Sequence, residues 1–229
     1  MDSLISLAAE IADCRRCTRL VEWREQVAFE KRAAFREEEY WGRGVPGFGD
    51  PSAKVMIIGL APAAHGANRT GRVFTGDRSG DFLFASLHRT GFANQSRARH
   101  VEDGLRLTDA YVTAAVRCAP PANKPTTKER DECLPYIERE LKLLPDVQVF
   151  VALGQFGYQV TCSLLGVRPR PRFGHGVVVP LSQHGSDRVG HVVCSFHPSQ
   201  QNTFTGRLTE PMLDDVFLMA RELARLEPT

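Results

Sequence analysis

The chain has 229 residues, with 29 Lys and Arg against 27 Asp and Glu, a formal charge of +2. Its hydrophobic fraction of 42% and charged fraction of 24% are ordinary globular values, so one domain with a sizeable core is expected over 1–229. The near-zero charge excludes a binder whose whole surface is basic, and no apolar run of eighteen residues exists to span a membrane as a helix.

The N-terminal stretch, MDSLISLAAEIADCRRC, lacks the basic start and small-residue cleavage site of a signal peptide, and a cytoplasmic protein is expected. It reads as an amphipathic helix with Leu4, Leu7, Ala8 and Ile11 on one face. Residues 42–52 are rich in Gly and Pro and read as a long loop, so 1–50 is expected to be a helical and loop segment. The apolar run Lys54–Gly59 has the pattern of a buried parallel strand. A glycine-rich loop (60–80) leads to a helix over about 80–91, and a second strand is predicted over 109–116. Beyond the proline-rich loop that starts at Cys118, Thr126 and Glu129 form a capping-box pattern for a helix running to about 143. A strand over 147–153, a helix opened by Gly154, strands near 176–181 and 191–196, and a helix over about 208–226 complete the chain. Such alternation predicts an α/β fold, a mostly parallel sheet with helices on both faces.

Four of the six cysteines fall in two pairs. Cys14 and Cys17 form a C-x-x-C, and Cys118 and Cys133 lie far downstream with fourteen residues between them. In a reducing compartment this is the ligand set of a metal site closed by folding. The spacing by itself favours zinc, the commoner metal for four thiolates, and leaves an iron–sulfur cluster open. Cys162 and Cys194 lie in apolar segments and read as buried core thiols.

Ligands of open α/β sheets bind beyond the carboxyl ends of the strands. The loops there are polar, whereas the strands before them are apolar. Five glycines between 59 and 80 let backbone approach a ligand. Within that loop Phe74 is either a core anchor or a stacking face, and Asp77 is either the N-cap of the next helix or a catalytic carboxylate, with Ser79 competing for the cap. His65 and Asn68 are turn residues or site residues. Proline holds the preceding His197 extended, which fixes its imidazole at a strand end. Local basic clusters are Arg15, Arg16 and Arg19; Arg97, Arg99 and His100; and Arg168, Arg170 and Arg172.

Four motifs then coincide: Gly59-Leu-Ala-Pro-Ala-Ala-His-Gly66, Thr70-Gly-Arg-Val-Phe-Thr-Gly-Asp77, Ala115-Val-Arg-Cys-Ala-Pro-Pro-Ala-Asn-Lys124, and the run His197-Pro-Ser-Gln-Gln-Asn-Thr-Phe-Thr-Gly-Arg-Leu-Thr209. With the cysteine spacing, they resemble the family 5 (type B) uracil-DNA glycosylases from Cys14 to about Thr209. The resemblance implies a three-layer α/β/α sandwich around a four-stranded, mostly parallel sheet, one of the five strands above being a marginal hairpin element. It implies a structural 4Fe–4S cluster on Cys14, Cys17, Cys118 and Cys133. It also implies a monomeric, monofunctional repair enzyme, working on nucleoid DNA in the cytoplasm. That enzyme flips uracil, hypoxanthine and other deaminated bases out of double-stranded DNA and hydrolyses the N-glycosidic bond, leaving an abasic site.

On this reading Asp77 and His197 are catalytic. Leu60, Ala61, Ala63, His65, Phe74 and Ala114 form the base pocket. Asn123, Lys124, Gln155, Ser199, Gln200 and Arg207 contact DNA. Position 60 is Leu where family 4 carries Glu, which moves the activating carboxylate to Asp77. Position 114 is Ala where family 4 carries the Asn that reads the uracil edge, which implies relaxed base discrimination. The competing reading is a non-catalytic iron–sulfur module that binds lesions in DNA; against it, such a binder needs no carboxylate beside anionic DNA.

Overall fold

The computed structural model describes residues 2–226; residue 1 and residues 227–229, the ends of the expected domain, lie outside the described residues. The first helix, α1 (Leu4–Asp13), is closed at its start by a capping box between Ser3 and Ser6. A second helix, α2 (Thr18–Glu30), follows the C-x-x-C directly. Next come β1 (Phe48–Gly49), β2 (Val55–Gly59), the single-turn helix α3 (Ala67–Thr70) and α4 (Arg78–Arg89). They are followed by β3 (Ala110–Ala114), α5 (Thr127–Leu143), β4 (Val149–Leu153), α6 (Gly154–Leu164), β5 (Val178–Pro180) and β6 (His191–Ser195). The short α7 (Gln200–Phe204) and α8 (Glu210–Leu223) end the chain. The predicted capping box of α5 is formed: Thr126 Oγ1 accepts from the Glu129 N–H, and the Glu129 carboxylate accepts from the Thr126 N–H.

The sheet has six strands in the order β1-β3-β2-β4-β6-β5, not the four expected. Its central four, β3-β2-β4-β6, are parallel, and the extra two are short antiparallel edges. Of these, β5 is the marginal hairpin partner of β6. The other, β1, was hidden in the Gly/Pro-rich loop because Gly49 supplies half of it. That glycine sits at φ +151°, and a Cβ there would lie 2.4 Å from the Ala110 carbonyl oxygen, so only glycine brings this edge against β3.

Side chains alternate across the sheet, and both faces are covered. Val55, Ile57, Val112 and Val151 pack with Leu83, Phe84 and Leu87 of α4 and Val216 and Phe217 of α8. Met56, Ile58, Phe150 and Val192 pack with Ile137 and Leu141 of α5 and Tyr158 and Val160 of α6. This is the expected three-layer α/β/α arrangement, and burial on both faces explains the unbroken apolar runs of its strands. Among the described residues no helix is long and apolar enough to cross a membrane. The chain leaves β2 for β3 on one side and reaches β4 and β6 on the other, so strand order reverses beside β2. That reversal opens a crevice at the carboxyl ends of the strands.

Candidate active site

The crevice is a cavity of about 310 Å³. Leu60, Ala61, Pro62 and Ala63 follow the end of β2, Phe74 and Asp77 come from the loop into α4, Ser79 from its first turn, Asn123 from beyond β3, and His197 and Ser199 from beyond β6. It adjoins a groove of about 1610 Å³ whose lining shares Ala63, Asp77 and Asn123. Residues far apart in sequence thus meet where the sheet topology places a ligand.

Phe74 is both of the things the sequence allowed. It belongs to the core cluster under α4, and its ring faces the cavity. Its φ is +52°, a conformation that costs a bulky residue about 1–3 kcal/mol and is held by the packing around it. The Cε2–Cζ side of the ring lies against Gly59, where a Cβ would come within 2.6 Å of it, and its centroid is 5.9 Å from that of His197.

Asp77 likewise fills both roles. Its Oδ1 accepts from the Gly80 N–H at 2.9 Å and caps α4. Its Oδ2 lies against Gly66, so close that a Cβ there would be 2.1 Å away. Burial pushes its pKa up, and the N–H groups of Gly80 and Ser79 partly offset the shift. The carboxylate is thus fixed in direction at the boundary between cavity and groove.

His197 follows β6 and is held through its backbone. Asn202 Nδ2 donates to its carbonyl at 2.8 Å, and the preceding Phe196 N–H donates to His175 Nδ1 at 3.2 Å. Burial lowers its pKa to about 4, so the imidazole is neutral at physiological pH. Gly154, at φ +81°, passes His197 so closely that a Cβ would stand 3.1 Å from the histidine Cβ.

Of the expected base-pocket residues, Leu60, Ala61, Ala63 and Phe74 line the cavity and two do not. His65 lies in the outer groove, where its Nδ1 is 3.0 Å from the Tyr40 hydroxyl, and Ala114 is buried within β3. Of the expected DNA contacts, Asn123 and Ser199 line the cavity, and Gln200 lines the groove. Gln155 and Lys124 are exposed outside both linings, and the exposed Arg207 stacks over the Phe196 ring at 4.5 Å. Among the basic clusters, Arg15, Arg16 and Arg19 are spent on Glu25, Glu10 and Glu129, whereas Arg97, Arg99 and His100 are exposed along the groove.

The cysteines gather behind this pocket. Cys118 and Cys133 share an apolar cluster with Leu20 and Val116, and Cys17 and Ala61 pack on it; Cys14 packs with Leu7, Ile11 and Tyr136. Cys17 and Cys133 are pushed up to about 11, first by burial and then by neighbouring thiols that include Cys14. The backbone N–H of Arg117 points at the Cys133 sulfur. Arg24, on α2, donates from Nη1 to the Cys118 sulfur at 2.9 Å. Sequence reasoning passed over Arg24, although Leu20, Val21, Arg24 and Val27 are all buried on one side of α2. A charge inside an apolar stripe at helical spacing was the available signal. Among the described residues, no three His, Cys, Asp or Glu side chains close around a single metal ion.

Residues 46–219 match the Uracil DNA glycosylase superfamily. The chain is similar to the type-5 uracil-DNA glycosylase of Mycobacterium bovis, 53% identical over 98% of this chain and 83% of that protein. It is 50% identical to the type-5 uracil-DNA glycosylase of Thermus thermophilus, over 93% of this chain and 94% of that protein. A type-4 uracil-DNA glycosylase of Pyrobaculum aerophilum is more distant, 32% identical over 57% of this chain and 59% of that protein.

Proposed function

Because this chain belongs to the uracil DNA glycosylase superfamily, in its type-5 branch, we propose that it is a DNA-repair glycosylase that excises uracil and leaves an abasic site. The observation that carries the reading is the meeting of an aromatic face (Phe74), a fixed carboxylate (Asp77) and a neutral imidazole (His197) around one cavity. Duplex DNA hides the N-glycosidic bond, so the nucleotide must be flipped into the cavity at a cost of about a few kcal/mol. Stacking the base on Phe74 returns ~1–3 kcal/mol.

As the bond breaks, the electron pair goes to the base and positive charge develops on the sugar. The neutral His197 donates an N–H to the base oxygen where that negative charge collects, an interaction worth about 3 kcal/mol in comparable sites. Asp77 faces the sugar, where it stabilises the cation and orients the water that attacks it. Water's hydroxyl joins the sugar, and its proton balances the departing base. The lining from Leu60 to Ala63 is largely apolar, and its one amide, Asn123, is exposed at the rim and can present either its oxygen or its nitrogen. That supports a broad enzyme, acting on hypoxanthine and other deaminated bases as well as uracil; we infer further that it works on double-stranded DNA, as a cytoplasmic monomer. Gln200 and the exposed arginines along the groove serve the flanking phosphates.

Cys14, Cys17, Cys118 and Cys133 hold a 4Fe–4S cluster on this reading. The donor set is four thiols gathered from three parts of the chain, the set that a 4Fe–4S cluster takes. The cluster would cross-link the α1–α2 junction, the loop after β3 and α5, and supplies no step of the hydrolysis.

The test is excision from U·G and hypoxanthine duplexes followed by alkali. Wild type gives strand breaks only after alkali. Asp77→Asn keeps a good helix cap and so stays folded, yet it and His197→Ala each lose on the order of 10²–10³-fold in rate. Near-normal excision by both variants would overturn the assignment.

A further inference from the structure

Arg24 is 1% exposed, yet among the described residues no carboxylate forms an ion pair with it. Its Nη1 points at the Cys118 sulfur at 2.9 Å, its Nη2 donates to the Cys14 carbonyl at 2.9 Å, and its Nε is buried with no partner. A neutral thiol is a weak acceptor and carries no charge. A guanidinium stripped of water and offered only a thiol and a carbonyl is therefore short of one negative charge. The other cations nearby are already committed: Arg117 to Glu140 at 2.7 Å and Arg19 to Glu129 at 2.7 Å.

We propose that Arg24 is the fixed counter-cation of the four-cysteine centre, orienting the Cys118 sulfur and setting how firmly the cluster is kept. This rests on the cluster reading above. Four thiolates around a 4Fe–4S core leave a net negative centre, and the buried guanidinium supplies the opposite charge in a low-dielectric place where water cannot. Partners of this kind orient metal ligands, and their loss typically weakens metal binding 10–100-fold. Arg24 also ties the centre to the pocket. Its carbonyl accepts from Asn68 Nδ2 at 3.2 Å, and Asn68 lies on α3, in the loop that carries Gly66 against Asp77.

The test compares anaerobically purified wild type, Arg24→Met and Arg24→Lys. Iron and sulfide are assayed first; release of iron in air is then followed by visible absorbance, and the reduction midpoint is measured by spectroelectrochemistry. Expected are iron loss on the order of 10–100-fold faster in Arg24→Met, a midpoint moved to lower potential, and partial recovery of both in Arg24→Lys, which keeps the charge but not the fork. Excision of uracil by freshly purified, iron-replete variants stays within a few-fold of wild type. Retention and midpoint equal to wild type in Arg24→Met overturn the proposal and leave the cluster reading standing. Should Arg24→Met fail to fold, iron loss and midpoint in Arg24→Gln, which also removes the charge but keeps a polar side chain, decide: wild-type values for both overturn the proposal. Zinc in place of iron and sulfide overturns the cluster reading, and the same three proteins then test Arg24 by the rate of zinc release to a chelator. A wild-type protein with no metal overturns both.

Discussion

Gly66 presents no side chain to the cavity, yet its replacement reaches the proposed catalytic carboxylate directly. An alanine Cβ at this position would lie 2.1 Å from Asp77 Oδ2 and 2.9 Å from Cγ. Carbon and oxygen normally approach to roughly 3.3–3.6 Å, so the carboxylate must retreat by about 1 Å or more. Oδ1 is anchored to the Gly80 N–H at 2.9 Å, and the retreat swings Oδ2 away from the sugar. A displacement of about 1 Å at a reacting centre costs on the order of 10²-fold in rate. Stability falls as well: a weakened cap costs about 0.5–2 kcal/mol, and Gly66 sits at φ −100°, ψ −106°, outside the regions alanine favours, so Tm drops by several °C and rates are compared at a temperature where both proteins are folded. The assay is single-turnover excision from a U·G duplex at saturating enzyme, with Tm measured by circular dichroism on the same samples. Asp77→Asn supplies the control. In that background Gly66→Ala should add almost nothing, because both changes disable one group. A Gly66→Ala rate within threefold of wild type, or effects that simply add, would refute the reasoning.

Two further outcomes follow from the geometry. Gly59→Ala places a Cβ 2.6 Å from Cε2 and Cζ of Phe74 and must tilt the stacking face; kcat/KM for uracil and hypoxanthine substrates should fall together, by about 2- to 12-fold if half of a ~1–3 kcal/mol stack is lost. A larger loss for one base than for the other would mean that Phe74 discriminates between them. His197 gives a signed pH dependence: its pKa falls from 6.5 in the unfolded chain to about 4 in the fold. Between those values the unfolded chain binds the extra proton, so its contribution to stability is intact above pH 6.5 and is lost as pH falls toward 4. The span of about 2.5 units corresponds to at most about 3 kcal/mol. Urea unfolding of His197→Gln should therefore show a flatter stability profile over that window, and an unchanged slope would contradict the burial of this imidazole.

The legible parts of the fold are those whose causes are local. The capping box of α5 is two residues satisfying each other's N–H groups three positions apart, and the central strands announce themselves because burial on both faces leaves them almost wholly apolar, β2 and β4 entirely so. The missed elements depend on distant partners. Edge strand β1 exists only because β3 offers it a ladder, and α2 hides behind a stripe broken by Arg24. The site divides in the same way. Asp77 and His197 stand out because each is polar at the end of an apolar strand or of its loop. His65 and Ala114 belong to the same stretches, but which side of a turn or strand faces the cavity depends on packing that the sequence does not display. Charge is the hardest to read, since a cation's availability is decided by its partner. Arg19 looks like a phosphate contact until Glu129, 110 residues away, takes its guanidinium on both oxygens. Arg24 looks like a misplaced charge until Cys118, 94 residues away, supplies a reason for it. With a net charge of +2, contact with DNA must draw on cations that the fold leaves without an ion pair among the described residues, and Arg97 and Arg99 along the groove beside Asp77 are among them, whereas Arg15, Arg16 and Arg19 at the cysteine end are spent on carboxylates.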